Sequence, residues 1–113
     1  MKITNAQIED VTLGYEEHGI LTFWLTLNIA GGGGCCYGGI ALDSYDPVTE
    51  KRIPTAKAFE CLTEIMHVVG VKNWEDLKGK YIRIKEDCLR RKVDAIGNLM
   101  EDKWFSLDDF FEK

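Results

Sequence analysis

The chain has 113 residues, 45% of them hydrophobic and 29% charged, which fits one domain spanning residues 1–113. A domain of this size buries enough surface to stand without staples, so a disordered tail and a disulfide-dependent miniprotein are excluded. Fourteen Lys and Arg against nineteen Asp and Glu leave a charge of −5. That balance argues against duplex nucleic acid as a partner, where phosphate neutralisation dominates affinity. A small nucleotide held by a few local cations remains open.

Residues Lys2 to Tyr15 read as a first strand whose alternation slips phase between Ile8 and Val11, which a β-bulge there would repair. Glu16-Glu17-His18-Gly19 reads as a hairpin turn. The second strand, Ile20 to Ile29, alternates cleanly: Leu21, Phe23, Leu25, Leu27 and Ile29 on one face, Thr22, Trp24, Thr26 and Asn28 on the other. The apolar run Ile20 to Ala30 is far short of a membrane span, and the start lacks a signal-peptide core. No membrane partner and a cytoplasmic location with reduced thiols are therefore expected.

Gly31 to Gly39 holds six glycines around Cys35, Cys36 and Tyr37. Two readings stand: a flexible or bulged strand connection, or a backbone amide nest that approaches an anion. Neither the dinucleotide nor the Walker pattern fits. A third short strand follows, Cys35 to Leu42, and then a polar crossing segment bracketed by Pro47 and Pro54. The one long helix runs from about Thr55 to Val69, with Thr55 as N-cap and Gly70 as stop. Its apolar stripe is Phe59, Leu62, Ile65, Met66 and Val69; Lys57, Glu60, Glu64 and His67 form the wet face.

Asn73 to Leu77 forms a capped turn ending at Gly79, followed by strands Lys80 to Lys85 and Lys92 to about Met100, then Trp104-Phe105 and an acidic tail turn, Ser106 to Glu112. The order β-β-β-α-β-β predicts an α+β domain, a small antiparallel sheet packed with one long helix. Arg83 to Lys92 concentrates five of the fourteen cations, a local grip for phosphate or a solvated hairpin of mixed charge. Gly97-Asn98 is a tight turn or a continuing strand; in the strand reading, which we favour, Asn98 needs a hydrogen-bond partner such as a base or ribose edge.

No spacing links Cys35, Cys36, Cys61 and Cys88 into a zinc site, and His18 and His67 read as surface histidines. No catalytic constellation emerges, so neither an enzyme nor a metal or cofactor is expected. Trp24 on the Thr face, with Phe105, Phe110 and Phe111 crowding the C-terminus, suggests a homo-oligomer contact.

Leu21 to Leu25, the glycine run into Tyr37-Gly38-Gly39-Ile40-Ala41-Leu42-Asp43, Val69 to Lys80, Ala95-Ile96-Gly97-Asn98 and Glu101 to Phe105 are short motifs distributed along most of the chain. As a set they resemble the phage anti-Thoeris proteins of the first type, which sequester the cyclic ADP-ribose isomer made by bacterial TIR enzymes. The resemblance implies an anti-defence nucleotide sponge that does not cleave its ligand, acting in the cytoplasm of an infected bacterial host. It also implies a dimer or hexamer with sites between protomers, further sites for cyclic oligonucleotides, and Asn98 as a ligand residue. For such a ligand, backbone amides at Gly33 and Gly34 and the guanidinium of Arg90 or Arg91 are expected on the pyrophosphate. Tyr37 is expected to cover a ring, and Asn98 to pair with a base or ribose edge. The alternative is an acidic phage protein that blocks a host defence protein, such as a CRISPR effector, by direct binding.

Overall fold

The computed structural model describes residues 2–87 and 92–112. Cys88, Arg90 and Arg91 lie outside the described residues. The architecture is α+β. Strands β1 (Lys2–Tyr15), β2 (Leu21–Ile29), β3 (Gly34–Gly38), β6 (Tyr81–Asp87), β7 (Lys92–Gly97) and β8 (Trp104–Phe105) form one antiparallel sheet in the order β3-β2-β1-β6-β7-β8. The sheet curls, so that β3 approaches β7 across the core. Among the described residues no helix is long and apolar enough to cross a membrane.

The phase slip in β1 is a bulge: the β1–β2 register shifts between Ile8 and Asp10, leaving Glu9 without an opposite. Ala6 and Ile8 before it, and Val11 and Leu13 after it, thereby share the face of Phe23, Leu25 and Leu27. Glu16 closes the hairpin; its Oε1 accepts from both the His18 and the Ile20 amides.

Helix α1 (Ala56–Val69) starts where expected. Thr55 Oγ1 accepts from the Ala58 amide at 3.2 Å, and Gly70, at φ +91°, stops the helix with its amide on the Met66 carbonyl. The buried stripe differs from the expected one. Ala58, Cys61, Ile65, Val68 and Val69 face the sheet, while Phe59 is 68% exposed. Ile65 and Val69 are common to both stripes and Leu62 packs at the edge of the core, but the buried stripe includes Ala58 and Cys61 and leaves Phe59 in solvent.

The third strand is shorter than expected. It ends at Gly38, where Gly38 and Gly39 take φ of +125° and +75° and the Trp24 indole lies over Gly39. The crossing segment is not irregular but a second two-stranded sheet, β4 (Asp43–Asp46) and β5 (Lys51–Pro54). Its anchor is the buried Asp43, whose carboxylate accepts from Arg52 Nε at 2.9 Å and from the Leu21 amide at 3.2 Å. The chain ends in α2 (Leu107–Glu112) rather than in a mere turn. Between β7 and β8, Trp104 lies flat on Gly97, where a Cβ would stand 2.5–2.7 Å from three indole carbons.

Two outcomes test this packing. Gly97→Ala should cost about 1–3 kcal/mol in urea unfolding through overpacking, and a smaller residue at Trp104 should relieve most of that penalty. Burial acts to raise the Asp43 pKa, but the Leu21 amide and the Arg52 guanidinium outweigh it and hold the carboxyl below the usual value. A folded pKa below the unfolded one stabilises above roughly pH 4, and that stabilisation is lost as pH falls through the lowered value. An acid titration of Asp43→Asn should accordingly lack part of the parent's loss of stability below about pH 4.

Candidate functional site: a cleft between two strands

The curl of the sheet leaves a cleft between the outer strand β3 and the start of β7. One lobe, about 360 Å³, lies among Cys35, Tyr37, Ile40, Asp94 and the first residues of α2, Leu107 and Asp108. The other, about 400 Å³, lies among Lys2, Ile29, Gly34, Glu86 and Asp87. The two lobes meet over Cys35, Lys92 and Val93, which line both. Lys92 Nζ crosses the rim to Asp108 Oδ2 at 3.1 Å, and Glu86 accepts from Thr4 Oγ1 at 3.0 Å.

The Cys35 thiol faces both lobes, and burial, then Cys36 and then Glu86, push its pKa up. A thiol in that state is a weak nucleophile at neutral pH. His18 and His67, the two imidazoles of the chain, are exposed; His18 Nδ1 sits 3.1 Å from Glu16, outside the cleft lining. Among the described residues no group of three or more His, Cys, Asp or Glu can hold a metal ion.

The six residues singled out from the sequence separate in space. Gly34 and Tyr37 line the cleft; Arg90 and Arg91 lie outside the described residues, whose neighbours in the chain, Asp87 and Lys92, both line it. Gly33 belongs to the β2–β3 turn. Its carbonyl accepts from the Ile29 amide at 3.0 Å, and Gly31, Gly32 and Gly33 all have positive φ with open space where a Cβ would stand. The glycines at 31–33 thus supply the positive-φ backbone of the β2–β3 connection.

Tyr37 does not present its ring. It is 5% exposed, its hydroxyl donates to the Phe105 carbonyl at 3.4 Å, and it accepts from the Leu107 amide at 2.9 Å. Burial drives the phenol pKa far up, so this latch stays protonated. The residue, so held, lies at the base of the first lobe. Phe105 and Phe110 likewise pack on each other within the chain, 5.5 Å between centroids, which leaves Trp24 and Phe111 as the more exposed members of the expected aromatic contact.

Asn98 sits elsewhere, beyond the far end of β7. The strand stops at Gly97 rather than continuing to Met100, and the Asn98 side chain turns back on the protein. Nδ2 donates to the carbonyls of Val68 (3.0 Å) and Val69 (3.3 Å) at the end of α1, and Oδ1 accepts from the amides of Met100 and Glu101, both at 2.9 Å. Two donors and two acceptor positions are thus all in use, which corrects the expectation of an amide held ready for a base or ribose edge. Lys92, Asp94, Glu86 and Asp108 were not singled out from sequence. Lys92 and Glu86 sat inside the charged hairpin and Asp108 inside the acidic tail, and only the curl brings these segments together.

Asn98→Ala should lower the unfolding free energy by about 1–3 kcal/mol, because the helix-end carbonyls and two loop amides lose their partner. Urea titration monitored by circular dichroism measures it; an unchanged midpoint would show that water replaces the amide at no cost.

The chain matches no protein-family model, and no curated protein matches it.

Proposed function

We propose that this protein binds and sequesters a small cyclic nucleotide signal, of the cyclic ADP-ribose isomer class made by TIR enzymes, without cleaving it. The observation that carries the reading is the two-lobed cleft between β3 and β7, with lobes of about 360 and 400 Å³. Those volumes lie in the usual range for small-ligand sites, roughly 300–1,000 Å³. A ligand with two sugar-base or sugar-sugar halves joined by a pyrophosphate suits two lobes that meet at a cation. Lys92 stands at that junction, paired with Asp108 on the exposed rim, an ion pair that an anion can displace at little cost. Arg90 and Arg91 directly precede Lys92 in the chain and are the further cations proposed for the phosphates. The protonated Cys35 at the same junction supports capture rather than turnover. The resemblance to the anti-Thoeris proteins supports the same reading, with an infected bacterial host as the proposed setting. In this reading Asn98 acts indirectly, by holding the loop after β7 against α1.

A second reading has its own support. The cleft rim and α2 carry Glu86, Asp87, Asp94, Asp108, Asp109 and Glu112, so the same surface suits direct blockade of a host protein by an acidic face.

A thermal-shift screen of cyclic ADP-ribose isomers and cyclic di- and trinucleotides separates the two. Sequestration predicts a rise in melting temperature with one isomer and recovery of that isomer unchanged from heat-denatured protein. Lys92→Glu should weaken binding by about tenfold or more while leaving the melt of the free protein nearly unchanged. No shift with any nucleotide, or a chemically altered ligand, would overturn the proposal.

A further inference from the structure

Strand β1 is fourteen residues long, yet its neighbour on one side covers only the first half. β6 pairs with Lys2–Gln7, and the last contacts on that side belong to Ile8, which donates to the Lys80 carbonyl and accepts from the Gly79 amide. On the other side β2 pairs from Ala6 to Tyr15. Antiparallel alternation then decides which backbone groups are left over. The carbonyls of Leu21 and Phe23 accept from Leu42 and Gly39 on the far side of β2, so it is Thr22, Trp24 and Thr26 that turn their backbone toward β1. Their opposites are Gly14, Thr12 and Asp10. The amides and carbonyls of Leu13 and Tyr15, and the Val11 carbonyl, therefore point out of the sheet. The Val11 amide is taken by Asp10 Oδ1 at 3.0 Å. Among the described residues no strand occupies this edge.

The side chains beside it are apolar. Val11, Leu13 and Tyr15 share the face of Phe23 and Leu25; Val11 packs against the core, but past the end of β6 Leu13 is 45% and Tyr15 72% exposed. Around them stand Glu9, Asp10, Glu16 and Glu17, with Lys78 on Asp10 at 3.6 Å. An open edge with an apolar strip and an acidic rim invites one kind of strand and repels another. A second copy paired antiparallel about Leu13 would set Glu16 opposite Asp10 and Glu17 opposite Glu9, like against like. Sliding the pair to centre on Thr12 removes that conflict but drives the Glu16–Gly19 turn toward Gly79 and Lys80.

We propose that the open edge of β1, Val11 to Tyr15, docks an extended segment of another protein. That segment has apolar residues at every second position and lysine or arginine at its ends. Leu13 and Tyr15 supply the ladder hydrogen bonds, the uncovered apolar strip supplies the side-chain contacts, and the carboxylate rim selects the basic flanks. The site lies away from the cleft and does not depend on the nucleotide reading.

The probe is a synthetic nonapeptide of alternating valine and threonine with lysine and arginine at both ends, compared with the same peptide ended in glutamate. Calorimetry at low salt should find the basic peptide bound at least about tenfold more tightly, and its affinity should fall with added salt. Amide hydrogen exchange at Leu13 and Tyr15 should slow on binding in the parent protein. Leu13→Lys, an exposed position whose fold is checked by its melt, should abolish binding. The proposal is overturned if the basic peptide does not bind, if the glutamate peptide binds equally well, or if the Leu13 and Tyr15 amides stay unprotected. Sedimentation showing a dimer that Leu13→Lys dissociates would assign the edge to a second copy instead. Cyclic nucleotide binding by Leu13→Lys is read separately, so loss of one proposal leaves the other measurable.

Discussion

One extra residue in β1 sets most of this molecule. Without Glu9 bulged out of the ladder, either Ala6 and Ile8 or Val11 and Leu13 would face solvent, because side chains alternate strictly along a strand. The bulge lets a single strand keep Ala6, Ile8 and Val11 on the core and Leu13 on the same face, and adds local twist, which a sheet of six strands needs to curl over one helix. From that curl come the approach of β3 to β7 and hence the cleft. From the same long strand, outrunning β6, comes the uncovered edge.

Large rings resting on bare backbone complete the outer face. Trp24 lies over Gly39 and Trp104 over Gly97, at the two ends of the sheet order. Trp104 also sits beneath two cations, with the Arg83 guanidinium carbon 4.8 Å and the Lys85 nitrogen 4.3 Å from its ring centroid. Arg83 further donates to the Asn98 and Glu101 carbonyls, so the loop after β7 is held from the sheet as well as from α1. A glycine-rich composition thus serves two purposes here: positive φ in the β2–β3 turn, and flat seats for tryptophan elsewhere.

Features written in local pattern were legible in the sequence. The alternation of β2, the phase slip in β1 and the caps Thr55 and Gly70 are each decided within a few residues, and each stands where local chemistry puts it. What depended on packing was less visible. The stripe of α1 buries small Ala58 and Cys61 instead of large Phe59, a choice that hydrophobicity along the sequence does not signal. The β4–β5 hairpin carries no alternation; a buried Asp43–Arg52 pair holds it instead. For the site, Gly34 and Tyr37 were found because they sit in an odd-looking run, though the Tyr37 hydroxyl serves the fold. Asn98 looked like an orphan amide because the carbonyls its Nδ2 reaches lie about thirty residues away at the end of α1, and the amides its Oδ1 accepts from belong to a loop read as strand. The carboxylates and Lys92 of the cleft come from segments with no shared motif.

The Tyr37 hydroxyl joins residues seventy positions apart, and this has a consequence during synthesis. The Leu107 amide that completes the latch emerges long after β3, roughly 4–14 s later at about 5–20 residues per second. Over that interval the nascent chain carries β3 as an edge with its cleft side unwalled and Cys35 accessible. Contact of the bare Tyr37 ring with neighbouring nascent chains is therefore a hazard of that interval, and it ends when residues 104–112 pack over the ring.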